Sequence, residues 1–290
     1  MNSEKKLNVG VLGSGNIGTD LLIKALRSKW LNCNLFVGRS FASPGMRRAS
    51  QLGVKISDQS IDAFKRDPGA CNVVFDATSA AFHKQHDIEF RKLGIKSIDM
   101  TPSQIGKMCV PALNLEECVE EPNVNMITCG GQASIPIAYA LMQSQPGIQY
   151  IEVVSSIASR SAGPGTRANI DEYIQNTEAG LRELAGCEHV KAILNLNPAD
   201  PCIDMQTTIF AQVERCDIEA IKKAVADMET RIQSYVPGYK VVVPPVFDNG
   251  RVMVMVRVQG LGDYLPSYAG NLDIINCAAI AMVEAFAKAH

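Results

Sequence analysis

Short apolar runs separated by helical periods fill the first half of the chain. Asn8 to Leu12 reads as a buried strand, and the turn Gly13-Ser14-Gly15-Asn16-Ile17-Gly18 leads into a helix carrying Leu21, Leu22, Ile23 and Leu26. Further strands are expected at Leu35 to Val37, Val73 to Phe75, Ser97 to Ile98 and Val124 to Ile127. Helical stretches lie between them, among them Ser79 to Leu93, which Gly94 would end. Strands alternating with helices predict an α/β domain with a parallel, doubly wound sheet.

After about Gly130 the pattern changes. Ile151, Val153 and Ser155 alternate with Glu152, Val154 and Ser156, and Val252, Val254 and Val256 alternate with Met253, Met255 and Arg257. Alternation of this kind belongs to longer strands with one buried face, so the second half is expected to be α+β with a mainly antiparallel sheet. Amphipathic helices over Ile170 to Leu184 and Ile218 to Tyr235 would cover one face, and Leu272 to Ala287 forms a last helix.

Composition narrows the function classes. With 47% hydrophobic and 20% charged residues in 290, a sizeable core is available. A net charge of -2 offers no basic field for nucleic acid or an anionic membrane, so a small molecule is the expected partner. Met1 to Asn8 is polar and holds no apolar signal core, and no apolar span reaches membrane length, which predicts a cytoplasmic protein. Nine cysteines form no Cys-x-x-Cys pair and no zinc-like spacing with the four histidines, so no metal site is expected.

The Gly13-x-Gly15-x-x-Gly18 pattern gains specificity from its place between a strand and a helix. Gly13 allows the tight turn, Gly15 lets the backbone approach a pyrophosphate, and Gly18 lets the helix pack on the strand. Where an acidic residue would hold the adenosine ribose, the chain reads Val37-Gly38-Arg39-Ser40, followed by Arg47 and Arg48. Arg39 either accommodates a 2′-phosphate, favouring NADP, or stacks on the adenine of NAD. Ser79 and Thr101 follow buried strands at the ligand edge, where each either caps a helix or touches a cofactor.

The sharpest candidate is Thr128-Cys129-Gly130-Gly131-Gln132-Ala133-Ser134-Ile135-Pro136, a strand end followed by an apolar helix. Free N–H groups at a helix start would stabilise the Cys129 thiolate and make it nucleophilic near neutral pH. Gly130 and Gly131 would leave those donors open to an oxyanion. A small buried hydrophobe is the alternative, and the better reading for the other eight cysteines. The Gly/Pro loop Ser161, Ala162, Gly163, Pro164, Gly165, Thr166, Arg167, Ala168 and Asn169 ends at a helix start and either reaches over a nicotinamide or serves as a plain connection. His83 and His86 lack a third ligand and are expected on a solvated helix face.

These motifs, with Phe75-Asp76-Ala77-Thr78-Ser79-Ala80 and Tyr268-Ala269-Gly270-Asn271-Leu272-Asp273-Ile274, resemble the acylating acetaldehyde dehydrogenases of meta-cleavage pathways over nearly the whole chain. The resemblance implies a Rossmann-type dinucleotide domain, 1–129 with 271–290, and a catalytic and dimerisation domain over 130–270. It also implies a thioester on Cys129, coenzyme A as co-substrate, a homodimer and a pyruvate aldolase partner. Nicotinamide dinucleotide contacts are implied at Ser14 to Ile17, Ser161 to Asn169 and Asn271. Two departures stand out. Where the family's pattern has an Asp assisting the cysteine this chain has Thr207, with Asp204 three residues earlier, and the stretch from Pro237-Gly238-Tyr239 to Val252 is shorter by about one strand and loop. A phosphorylating semialdehyde dehydrogenase shares the thioester logic but pairs its cysteine with a histidine. A non-catalytic dinucleotide sensor would have no use for an exposed thiolate.

Overall fold

The computed structural model describes residues 6–290; Met1 to Lys5, part of the polar lead-in, lie outside the described residues. The chain divides into two compact units: one holds the residues up to 109 with 114–126 and 276–290, the other 110–113 with 127–275.

The first unit is a seven-stranded sheet. Its elements in chain order are β1 (Leu7–Leu12), α1 (Asn16–Arg27), β2 (Leu31–Val37), α2 (Pro44–Gln51), β3 (Ile56–Ser57), α3 (Asp62–Arg66), β4 (Val73–Asp76), α4 (Ala80–Leu93), β5 (Lys96–Asp99), β6 (Lys107–Met108), the part of α5 (Pro111–Cys118) from Asn114 onward, and β7 (Asn123–Asn125). Every ladder is parallel, in the order β3-β2-β1-β4-β5-β7-β6. The order reverses between β1 and β4, so the turns after those strands flank the topological switch point where ligands bind in such sheets. Leu12, Leu35, Val37, Phe64, Val74 and Phe90 form a core cluster, with the Phe64 and Phe90 rings packed edge to face at 5.7 Å. Burial of each such ring contributes about 1.5–3 kcal/mol. The expected end of α4 holds: Gly94 takes φ +66, and its N–H reaches the Arg91 and Phe90 carbonyls.

The second unit comprises α6 (Cys129–Ser144), β8 (Tyr150–Ala158), α7 (Pro164–Ala168), α8 (Ile170–Gly180), β9 (Val190–Asn197), β10 (Met205–Gln212), α9 (Ile218–Gln233), β11 (Tyr239–Asp248) and β12 (Arg251–Val258). The last helix, α10 (Gly270–Ala289), contributes residues to both units. The sheet order is β11-β12-β10-β8-β9, antiparallel except for the β8·β9 pair. Ile151, Val153, Ser155 and Ile157 face the core from β8, and Val252, Val254, Val256 and Val258 from β12. Asp217 caps α9 by accepting from the Glu219 and Ala220 N–H groups, and Ile221, Val225, Met228 and Ile232 form its buried stripe.

Two local departures from the sequence expectation bear on function. The strand expected to run to Ile127 stops at Asn125, because Ile127 adopts φ +62 and turns the chain out of the sheet. The Gly/Pro loop at 161–169 contains the short helix α7, begun by Pro164.

Candidate active site

In the first unit, the glycines of the turn after β1 serve different ends. Gly13 takes φ +120, donates to the Val37 carbonyl at 2.8 Å, and leaves no room for a Cβ beside the Ala77 carbonyl. A Cβ on Gly18 would strike the Gly13 carbonyl, whereas one on Gly15 would meet nothing within 4 Å. Gly15 caps α1 without a side-chain bond, so open space lies at the positive end of the helix. A dinucleotide pyrophosphate suits that cradle.

Asn16 and Ile17 start α1, and the Ile17 carbonyl accepts from the Asn276 amide at 3.2 Å. The Ser43 hydroxyl lies 3.0 Å from that of Ser14, and Gly38 and Gly45 have no space for a Cβ beside Ser14. Sequence reading passed over this support, although Ser43-Pro44 is a helix-start signal. Arg39 and Ser40 are exposed, while the Arg47 guanidinium folds back onto the Ala42 carbonyl.

Neither capping alternative holds as a side-chain cap. Ser79 occupies the cap position of α4 but makes no side-chain cap bond, and Thr101 starts no helix. Instead, the carboxylates that end β4 and β5 organise this edge. The Thr78 N–H and hydroxyl donate to Asp76 Oδ1 at 3.1 and 2.5 Å, and the Thr101 N–H donates to Asp99 Oδ1 at 2.8 Å.

The expected solvated histidine face is corrected here. His83 is 0% exposed and His86 6%. Their Nδ1 atoms lie 2.9 and 2.8 Å from Asp76 Oδ2. A helix leaving β4 at its C-terminal edge turns those positions back over the strand that precedes it, so an i, i+3 pair clasps one carboxylate. Asp99 Oδ2 accepts from the Ser103 hydroxyl and from the Asn125 amide at 2.7 Å. Burial pushes the Asp76 carboxyl up, but hydrogen bonds and charge from the two histidines outweigh it and hold the group at about 2. For Asp99 burial dominates over His83, Ser103 and Thr101, and the group rises to about 6. Burial pulls His83 down, and the Asp76 bond with the charges of Asp99, Asp76 and Asp87 turns the net shift upward. Among the described residues no group of three or more His, Cys, Asp or Glu side chains is placed to hold a metal ion.

In the second unit the sharpest sequence candidate, Cys129, is the first residue of α6 and 8% exposed. Ile127, a β-branched residue in the left-handed region, makes the turn, and the Asn176 amide donates to its carbonyl at 2.9 Å. Thr128 is the cap: its Oγ1 accepts from the Gly131 N–H at 2.8 Å and lies 2.7 Å from Thr177 Oγ1. The Thr177 hydroxyl donates to the Tyr173 carbonyl at 2.8 Å, so Thr128 must donate to Thr177. Elbow and α8 are thus tied together. The Gly131 N–H is committed to the cap and is not open to an oxyanion, contrary to the sequence expectation; Gly130 remains the donor beside the sulfur.

Cys129 Sγ lies 3.6 Å from the Tyr173 hydroxyl. A Cβ on Gly130 would collide with that hydroxyl and come 2.8 Å from Ser155 Oγ, which pairs with Thr207 Oγ1 at 2.9 Å. Burial pushes the Cys129 thiol above its ordinary value, against lowering by Tyr173 and the N–H groups of Gly130 and Cys129 itself. The expected thiolate near neutral pH is therefore corrected to a resting thiol, because desolvation outweighs the helix start. Burial likewise pushes the Tyr173 phenol well above 10, helped by Cys129 and opposed by Gly130 N–H and Ser155.

All nine cysteines are free, and Cys33 and Cys71 are pushed up to about 12, first by burial. Asp204 stands 4.0 Å from Arg257. In the 161–169 stretch, Ser161 is buried, while Arg167 folds onto the Ala162 and Ser159 carbonyls and Asn169 donates to the Gly165 carbonyl at 2.6 Å. Asn271 is buried and its Oδ1 has no hydrogen-bond partner among the described residues. No described helix is long and apolar enough to cross a membrane.

Residues 129–266 match the family model described as prokaryotic acetaldehyde dehydrogenase, dimerisation. The acetaldehyde dehydrogenases of Spirochaeta aurantia and Pectobacterium atrosepticum are each 58% identical over 285 residues, covering 98% of this chain and 96% of theirs. That of Burkholderia thailandensis is 48% identical over 283 residues, covering 98% of this chain and 95% of its own. Among solved structures, aspartate semialdehyde dehydrogenase II from Vibrio cholerae, complexed with ASA, matches with a TM-score of 0.63 over 97% of each chain. At 12% identity that likeness is one of fold.

Proposed function

Because the chain belongs to the prokaryotic acetaldehyde dehydrogenase family, we propose that it oxidises a short aldehyde to its coenzyme A thioester, with Cys129 as the covalent nucleophile and a nicotinamide dinucleotide as oxidant. Oxidation of an aldehyde is the part its relatives' names carry. The observation that carries the rest is the thiol at the first position of α6, flanked by the Gly130 N–H and the Tyr173 hydroxyl.

In this reading the first unit binds the dinucleotide and the second performs catalysis and dimerisation. Gly13 to Gly18 hold the pyrophosphate, and Arg39 with Ser40 at the end of β2 tolerate a 2′-phosphate, so both NAD and NADP are accepted. Ser79 and the Ser161 to Asn169 segment supply further contacts, and the unpartnered Asn271 Oδ1 suits the N–H of a carboxamide. The bound dinucleotide supplies the hydride acceptor.

The Cys129 sulfur adds to the aldehyde carbonyl at the start of α6, forming an S–C bond while the π pair moves to oxygen. Loss of hydride from that carbon, with release to solvent of the proton that the resting thiol brought, leaves an acyl thioester on Cys129. Attack by the coenzyme A thiol forms the new S–C bond and breaks the old one, returning Cys129.

The homodimer is supported by the dimerisation model's match, which includes the whole five-stranded sheet. Val154, Phe210, Met253 and Met255 lie half-buried on the face opposite its core side. A second copy is the occupant proposed for that face.

The test is a spectrophotometric grid of short and aromatic aldehydes with NAD or NADP, each with coenzyme A, phosphate or neither. Turnover should require coenzyme A, and without it intact-mass spectrometry should find one acyl group on Cys129. Release by phosphate alone would assign a phosphorylating reaction instead, and an adduct on any other cysteine would overturn the role of Cys129.

A further inference from the structure

Resting on the cysteine chemistry proposed above, we infer that Tyr173 is a catalytic residue that exchanges protons between Cys129 Sγ and the carbonyl oxygen of the aldehyde. At the register position facing Ser155, β10 carries Thr207, which has no carboxylate to offer the thiol. Asp204 is turned to Arg257 instead. What reaches the sulfur is a line of hydroxyls.

Thr207 and Ser155 are register partners on β10 and β8, and their side-chain oxygens are 2.9 Å apart. The Ser155 hydroxyl bonds that of Tyr173, which lies 3.6 Å from Cys129 Sγ. Among the described residues, Tyr173 is the side chain that favours ionisation of the thiol; the other favourable influences are backbone N–H groups.

The phenol is held on all sides. Its ring is on α8, whose backbone at Tyr173 donates to the Asn169 carbonyl at 3.0 Å and accepts from Thr177 at 2.8 Å. Its oxygen receives the Gly130 N–H and fills the space left by the missing Gly130 side chain. With the Gly130 N–H and the Ser155 hydroxyl on its other sides, the phenol faces Cys129 Sγ, and either group can donate across that contact.

The chemistry follows from burial. A thiolate and a phenolate are both penalised here, so a stepwise route through either charged form is costly. A concerted exchange avoids both. As the S–C bond forms, the thiol proton passes to the Tyr173 oxygen, the proton of Tyr173 passes to the carbonyl oxygen, and the C=O π pair receives it. The thiohemiacetal and a neutral phenol result, with no net charge created and no external base consumed. Ser155 and Thr207 are positioning residues that act through Tyr173.

The test is Tyr173→Phe in the full chain. General acid–base assistance of this type contributes about 10²–10⁴-fold, so kcat/KM for acetaldehyde should fall by that factor while dinucleotide affinity stays within about twofold. The pH midpoint for alkylation of Cys129 by iodoacetamide should move upward, because the hydroxyl that favours the thiolate is gone; loss of packing alone would not move it. Ser155→Ala should shift both readouts the same way by less. If Tyr173→Phe fails to fold, Ser155→Ala carries the test. An unchanged kcat/KM with an unchanged alkylation midpoint in the folded variant overturns the inference. Cys129→Ser separates the two readings: full activity there defeats the cysteine mechanism itself, whereas an inactive Cys129→Ser beside a fully active Tyr173→Phe defeats the role of Tyr173 alone.

Discussion

The Tyr173 hydroxyl occupies the space that a Cβ on Gly130 would need. The glycine is therefore required by a neighbour on another helix, not by its own backbone. Gly130→Ala should displace the phenol and cost about 1–3 kcal/mol through overpacking. Turnover should fall further than stability would suggest, because the displaced group is the one beside the sulfur. Urea unfolding paired with steady-state rates measures both; full activity in the folded variant would contradict this account.

The network at the sheet edge predicts how stability follows pH. His83 is raised above 6.5, so its contribution is present below that value and is lost as pH rises through its folded pKa. Asp99 is raised from 3.8 to about 6, so stability also increases as pH falls through 6 toward 3.8. Asp76 is lowered to about 2, and its contribution is lost as pH falls below 3.8. Thermal midpoints should rise from pH 8 to about 5 and drop below about 4. In Asp99→Asn the difference from the wild type should change chiefly between about pH 4 and 6. A constant difference across that window would refute the assignment.

Arg39 is exposed at the end of β2, free of the carboxylate that would repel a 2′-phosphate. Arg39→Asp should reduce kcat/KM with NADP by about tenfold or more relative to NAD, since a like charge replaces a favourable one. A variant that gained on NADP relative to NAD would count against this placement.

Asp204 lies just before β10 and faces Arg257, whereas Thr207 holds Ser155. Asp204→Asn should leave the rate of Cys129 alkylation within about twofold. Thr207→Val should slow turnover severalfold, because it leaves the Ser155 hydroxyl without its partner at a buried site. Reversed effects of the two variants would return the base to Asp204.

The turn at Gly13 to Gly18, the helix start at Cys129 and the alternation along β8 and β12 were legible because each is a local pattern of known period or spacing. His83 and His86 were misread for the opposite reason. Their spacing shows a helix face, but nothing local says that Asp76 waits beneath it. The Cys129–Tyr173 and Ser155–Thr207 contacts join residues 44 and 52 apart, beyond the reach of periodicity. A signal for the committed Gly131 N–H was available in Thr128, a preferred cap residue three positions earlier. The resting thiol was hidden because nothing local shows that Cys129 is buried, with Tyr173 brought beside it from 44 residues later.

The left-handed backbone at Ile127 has a consequence for the order in which the second unit assembles. A β-branched residue there is unfavourable by about 1–3 kcal/mol when isolated, so the newly made chain will not hold the elbow by itself. What holds it is the Asn176 amide on the Ile127 carbonyl and the Thr177 hydroxyl beside Thr128, both delivered from α8 across 49 residues. The first turn of α6 is therefore expected to set only once α8 has docked, with the sulfur among the later groups in this unit to reach its place. During refolding, Cys129 should stay open to a pulse of alkylating reagent after the five-stranded sheet has formed, then close in step with burial of Tyr173.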